Sequence, residues 1–191
     1  MLSWLDTIDH QFFLAVHLWR NSFFDLQMPL VSNRWLWIPL YALLVFLVWK
    51  RFRMKSIYIV IAVALLVLFS DQTANLLKNS TKRPRPSYDE ALAGQVITPL
   101  GRGGNYGFVS GHAANSMAVA LFLWLLSGAQ KDFPASRRRK WWLLLFPWVI
   151  LVCWSRVYVG VHFPFDVLGG CAVGALWALV FWFLLRRIIF R

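Results

Sequence analysis

Ser155-Arg156-Val157-Tyr158-Val159-Gly160-Val161-His162-Phe163-Pro164-Phe165-Asp166 runs directly into residues 167–185, a stretch without a single charged side chain. An ionisable cluster abutting so long an uncharged run belongs at the end of a membrane helix, where its polar groups meet water or a cavity while the run stays in lipid. His162 and Asp166 stand four residues apart. On a helix that spacing puts them on one face, where the carboxylate can hold one ring nitrogen and leave the other free to attack. The pair reads as a nucleophile with its orienting partner.

Two further clusters, residues 78–85 and Ser110-Gly111-His112, also lie at the edges of apolar runs. Of the 191 residues 59% are hydrophobic and 17% aromatic, with 12 Trp and only 15% charged. This lies far outside the range of a soluble domain. The apolar runs are residues 35–49, 57–77, 113–126, 141–154 and 167–185. Several fall short of the roughly 20 residues a spanning helix needs, and the adjoining polar residues are expected to complete the missing turns. Trp or Tyr near many of the ends suits the headgroup level. The expected fold is an all-α integral membrane bundle of five or six transmembrane helices, forming one domain over residues 1–191. Leu5, Ile8, Phe12, Val16 and Trp19 recur at three- and four-residue steps, so an N-terminal amphipathic helix is expected to lie in the interface within residues 1–30.

A net charge of +12 would point to nucleic acid on a soluble chain, but much of it flanks apolar segments, so anionic lipid headgroups are the expected partner and nucleic acid is not. With five spans, twelve of the twenty Lys and Arg fall on one side: Lys50, Arg51, Arg53, Lys55, Lys131, Arg137, Arg138, Arg139, Lys140, Arg186, Arg187 and Arg191. The positive-inside rule assigns that side to the cytoplasm and turns the three clusters toward the periplasm or cell exterior. Residues 1–6 lack the pattern of a cleaved signal peptide. Cys153 and Cys171 match no metal or disulfide spacing and read as small hydrophobes. The glycines at 101, 103, 104 and 107 match no nucleotide-binding fingerprint, since no strand and helix surround them. The connection over residues 80–106, rich in Pro and Gly, is long enough to be functional.

Cutting phosphate from a lipid at such a boundary needs cations and backbone donors for the phosphoryl oxygens, a nucleophile in line with the leaving oxygen, and an acid to protonate it. Lys78, Arg85 and Arg156 can supply the charge and forked donors. Ser110 and Gly111 begin a helix, where free N–H groups and the dipole favour an anion. His112 is placed to protonate the leaving group and then to activate water. His162, oriented by Asp166, would form a phosphohistidine.

The series Lys78-x6-Arg85-Pro86, Ser110-Gly111-His112 and Ser155-Arg156-x5-His162-x3-Asp166 resembles the three-part signature of the type-2 phosphatidate phosphatase superfamily, which also includes the vanadium haloperoxidases. That resemblance implies phosphate binding by Lys78, Arg85 and Arg156, acid catalysis by His112, a nucleophilic His162 supported by Asp166, and no metal or cofactor. Val109 stands where the family's second motif usually begins with Pro. The implied activity is hydrolysis of a lipid phosphate or diphosphate at the outer face of the inner membrane. Undecaprenyl diphosphate is the leading expectation, with phosphatidylglycerophosphate, phosphatidate and lipid A phosphates as alternatives. A phosphotransferase on the same scaffold and a non-enzymatic binder or transporter of anionic lipid are the rival readings. Outside the signature, Lys82 and Arg83 read as solvated loop cations, or less readily as contacts to a second phosphate. Asp71, an ionisable group inside an apolar run, reads as a support for Lys78 from two turns away or, less readily, as a functional group in its own right, and His10 and His17 read as interfacial residues.

Overall fold

The computed structural model describes residues 3–128 and 135–189, which are helical apart from their connections, and holds no β-strand among them. Helices α1 (Ser3–Leu18) and α2 (Ser22–Ser32) precede a 3₁₀ turn, Arg34–Trp37. Next come α3 (Ile38–Phe52), α4 (Ser56–Thr81), α5 (Gly111–Gly128), α6 (Ala135–Tyr158) and α7 (Pro164–Ile189). Three helical stretches are long and apolar enough to cross a membrane, Arg34–Thr81, Arg139–Tyr158 and Pro164–Ile189, the first of them holding both α3 and α4.

Each apolar run has become a helix, and the flanking motif residues extend it as the pattern requires. Lys78 lies in the last turn of α4, His112 in the first of α5, Arg156 in the last of α6 and Asp166 in the first of α7. The stops have local causes. Lys82 takes a left-handed conformation (φ 49) after α4, and Gly160 (φ +74) ends the chain's course out of α6. Pro39 and Pro164 sit in the first turns of α3 and α7, where no amide hydrogen is missed.

Helix α5 is the centre of the bundle, with α7, α6 and α4 packed around it. Ala113, Ala114, Ala118, Phe122 and Leu126 on α5 are buried, whereas Ile61, Ile150, Leu176 and Leu184 on the surrounding helices face outward. Large apolar side chains facing outward, with alanines and glycines where α5 meets α7, fit a lipid solvent, in which close packing rather than water exclusion joins helices. The closest approach is between α5 and α7. A Cβ on Gly174 would lie 2.1 Å from the Ala114 carbonyl oxygen, and one on Gly170 would lie 2.4 Å from that of Ser110. At the opposite end Lys55 Nζ donates to the Ile189 carbonyl at 2.9 Å, tying the α3–α4 turn to the end of α7. Lys50, Arg51, Arg53, Lys55, Arg186 and Arg187 gather at that end, and Arg139 and Lys140 begin α6 there. Lys131 and Arg191, and the side chains of Arg137 and Arg138, lie outside the described residues.

The N-terminal segment forms two helices, and the apolar stripe of α1 is divided: Phe12 and, just past the helix, Trp19 are exposed, while Val16 packs against the cluster of Phe13, Val157 and Phe163. The inward edge carries Asp9 and Phe13, both with no exposed surface.

The glycine crossing can be tested directly. Gly174→Ala should cost about 1–3 kcal/mol, since a backbone oxygen cannot step aside as a side chain would. A thermal unfolding midpoint equal to wild type in detergent would show that α5 and α7 are not in such contact.

Candidate active site

The ends of α4, α5, α6 and α7 that carry the three motifs meet on one side of the bundle, beneath the connection between α4 and α5. That connection is folded. Arg85 N–H donates to the Asn105 carbonyl at 3.1 Å and Gly107 N–H to that of Arg83 at 2.9 Å, closing the loop across its base. Val96 and Ile97 come down on Gly160, whose missing Cβ leaves room for them.

His162 lies in the turn before α7, not on the helix. The helical spacing is therefore corrected, and the reason is local: Gly160 turns the chain out of α6, and Pro164 opens α7 with Phe163 as its cap, which leaves His162 before the first helical residue. The pair still meets, because Asp166 in the first turn folds back to accept the Phe163 N–H at 2.9 Å, one half of a capping box. This sets His162 Nδ1 3.6 Å from Asp166 Oδ2, with no other partner for that nitrogen. The ring is 2% exposed and the carboxylate wholly buried. Burial above all, opposed by Asp166 and aided by the Arg156 charge, lowers the imidazole from 6.5 to about 4.

Asp166 is also held from outside its motif. Arg83 donates to Asp166 Oδ1 at 2.8 Å and, through its other terminal nitrogen, to Asp9 Oδ2 at 2.7 Å. Asp9 Oδ1 in turn accepts the Phe165 N–H at 2.9 Å, and the Arg83 guanidinium stacks 4.6 Å above the Phe163 ring. Arg83 is thus not a solvated loop cation, and its donors are turned toward two buried carboxylates. Neither it nor Asp9 was singled out as a site residue by sequence. The available signal was an acid on a helix whose apolar face is already complete.

The remaining motif residues converge. Arg85 Nε donates to the Tyr106 carbonyl at 3.0 Å, and its guanidinium lies over Gly103, where a Cβ would stand 2.6 Å from a terminal nitrogen. An Arg156 terminal nitrogen donates to Ser32 Oγ of α2, and its Nε is buried without a partner. Lys78 Nζ reaches Asn75 Oδ1 at 3.4 Å. Ser110 gives its N–H to the Asp166 carbonyl at 2.8 Å, so that donor is not free, while its buried hydroxyl has no partner. Gly111 follows at the start of α5, where a Cβ would lie 3.6 Å from Lys78 Nζ. His112 is within electrostatic reach of Arg156, His162, Lys78 and Arg34.

Two cavities meet at this cluster. One of about 320 Å³ is lined by Arg34, Arg85, Gly103, His112 and Arg156, under the loop. The other, about 480 Å³, is an apolar groove between α3, α4, α5 and α6. Arg34 and His112 line both, so the cationic cavity and the apolar groove adjoin. Among the described residues no group of three or more His, Cys, Asp or Glu could hold a metal ion.

Several cations around a small cavity, with a dry imidazole backed by a carboxylate, are what hydrolysis of a phosphate ester within a membrane protein requires. Comparison with known proteins gives that class a family. The PAP2 superfamily model matches residues 55–189, and the chain belongs to that family as a hydrolase of phosphate esters. A lipid A 4'-phosphatase of Bacteroides thetaiotaomicron is 33% identical over 197 residues, covering 100% of this chain and 83% of that protein. One from Porphyromonas gingivalis is 33% identical over 178 residues, 92% and 72% of the two chains. The crystal structure of a transmembrane PAP2-type phosphatidylglycerolphosphate phosphatase from Bacillus subtilis shares the fold, with TM-score 0.74 and 22% identity over 96% of this chain and 87% of that one.

Removing Arg83 tests the support under Asp166. Arg83→Met leaves two buried carboxylates without their cation and should destabilise the protein by about 3–5 kcal/mol. A solvated loop cation in that place would give less than about 0.5 kcal/mol, and such a result in denaturant titration would remove the network.

Proposed function

We propose that the protein removes the terminal phosphate from a membrane lipid through a phosphohistidine formed on His162. The observation that carries the reading is the His162–Asp166 pair, within electrostatic reach of Arg85 and Arg156, two cations that line a cavity adjoining an apolar groove. Lys78, Arg85, Arg156 and the first-turn N–H groups from Gly111 hold the phosphoryl oxygens, and the Ser110 hydroxyl lies within the same shell. His162 Nε2 attacks phosphorus while Nδ1 faces Asp166. His112 protonates the departing lipid oxygen, then takes a proton from water as that water attacks phosphorus, breaks the P–N bond and releases inorganic phosphate. Asp166 stabilises the imidazole as positive charge develops. The reading uses no metal and no cofactor.

Helices α3 to α7 are taken as five spans, with α1 and α2 at the level of the site. The lipid tail would lie in the groove between α3, α4, α5 and α6. The whole-length relatives are lipid A 4'-phosphatases, which supports a phosphorylated glycolipid at least as well as the polyprenyl diphosphate expected from sequence. Placement in the inner membrane with the site facing outward rests on the basic residues collected at the far end.

His162→Ala should abolish phosphate release from purified lipid phosphates while the protein stays folded. Asp166→Asn should lower kcat by about 10³- to 10⁴-fold. The attacking imidazole is neutral, so kcat/KM should hold down to near pH 4 and fall as pH drops through it, once substrate titration near pH 6 is divided out. Full activity of the alanine variant, or an acid limb at 6.5, would overturn the mechanism.

Orientation has a separate check. A cysteine at exposed Asn105, with Cys153 and Cys171 replaced by Ala, should react with an impermeant thiol reagent outside intact cells. Labelling only after lysis reverses the topology.

A further inference from the structure

The apolar groove carries one acid, and the mechanism does not use it. Asp71 stands on α4 at the end of the groove nearest the site, with Arg34, His112, Asn115 and Ser116, and Val67 begins the apolar lining one turn below. Its distance from the phosphate cluster is bounded by Gly111. The position that a Cβ would take there lies 3.3 Å from Asp71 Oδ1 and 3.6 Å from Lys78 Nζ, so carboxylate and ammonium are no more than about 7 Å apart.

A carboxylate so close to an incoming phosphate repels it, and an acid within an apolar helix is itself costly by a few kcal/mol. Its partners inside the protein are few and distant. Asn75 Nδ2 donates at 3.2 Å and Asn115 Nδ2 at 3.3 Å, which leaves about half of the four or so acceptor sites of the carboxylate open. The amide oxygen of Asn115 is buried without any partner. These neighbouring oxygens are unspent acceptors at the point where the atoms next to a scissile ester would pass from the cationic cavity into the groove. A polyprenyl chain would set CH₂ and methyl groups against them. A sugar or glycerol unit would set O–H or amide N–H groups there.

Building on the lipid phosphatase reading above, we infer that Asp71 and Asn115 form a headgroup subsite that accepts hydrogen bonds from donors adjacent to the phosphate ester. The preferred substrates are then phosphorylated lipids with a hydroxylated or amide-bearing headgroup, of the glycolipid or glycerolipid type, in preference to polyprenyl phosphates. Asp71 acts as a specificity residue, and the phosphoryl chemistry stays with the histidines. Its link through Asn75 to Lys78 also gives it the supporting role read from sequence, so the test must separate the two.

A matched substrate pair does so. The probes are a 1-acylglycerol 3-phosphate, whose free hydroxyl neighbours the ester carbon, and the same compound with that hydroxyl replaced by hydrogen, each assayed for released phosphate with purified protein in detergent. Wild type should favour the hydroxylated compound in kcat/KM by roughly 10- to 100-fold, as expected for a hydrogen bond to a charged acceptor. Asp71→Leu should narrow that preference to within about twofold, whatever happens to the absolute rates, and Asp71→Asn should retain part of it. No preference in wild type, or an unchanged ratio in Asp71→Leu with both rates lowered alike, overturns the subsite and leaves Asp71 as a prop for Lys78. Hydrolysis of neither compound by wild type, with a glucosamine-based lipid phosphate also refused, would instead strike at the phosphatase reading on which the inference rests.

Discussion

The contact of α7 with α5 at Gly170 and Gly174 is the constraint from which the rest of the architecture follows. Backbone meets backbone there, so the two helices have one relative height and no freedom to slide. One turn above Gly170, Asp166 accepts the Ser110 N–H on its carbonyl, and that bond fixes the start of α5 against the start of α7. Ser110 and His112 of the second motif are thereby set beside Asp166 and His162 of the third. Lys78 then needs only α4 against α5, a contact in which Gly111 is again the residue at the closest point.

Asp166 is a structural hub as well as the proposed partner of His162. Its two carboxylate oxygens take Phe163 N–H and Arg83, and only at 3.6 Å does one face the imidazole. Such a buried anion costs several kcal/mol unless its lone pairs are filled, and a lone imidazole could not fill them. The second carboxylate, Asp9, lets one guanidinium neutralise both, and Asp9 is in turn capped by Phe165 N–H. The N-terminal helix therefore holds up the third motif, although no part of it belongs to the signature. The same arrangement keeps His162 dry. In the proposed mechanism an imidazole lowered to about 4 is neutral at working pH, so no proton must leave it before attack.

Sequence made the helices and their polar ends legible because lipid allows few alternatives: an uncharged run must be helical, and ionisable residues must gather at its ends. Lys78, His112, Arg156 and Asp166 could each be placed on a terminal turn for that reason. His162 was misplaced by half a turn, since a spacing of four arises both within a helix and between a residue before the N-cap and N3, and only Gly160 and Pro164 separate the cases. Asp9 and Arg83 were missed because they lie 74 residues apart, with no periodicity to link them. The amphipathic pattern of α1 is legible in sequence, whereas the burial of Asp9 on its inner edge is not.

The division between cationic cavity and apolar groove has a chemical consequence for turnover. In the proposed reading, a phosphate ester that bridges them has its charge beside Arg85 and Arg156 and its tail among valines and aromatic rings, so binding energy from the tail can seat the headgroup before any bond is broken. The product alcohol keeps the tail contacts and loses the charge, and inorganic phosphate keeps the charge and loses the tail. Each product thus gives up one half of what held the substrate. They need not share a way out: phosphate can leave through the cavity under the 80–106 connection, and the dephosphorylated lipid can leave through the groove between the helices.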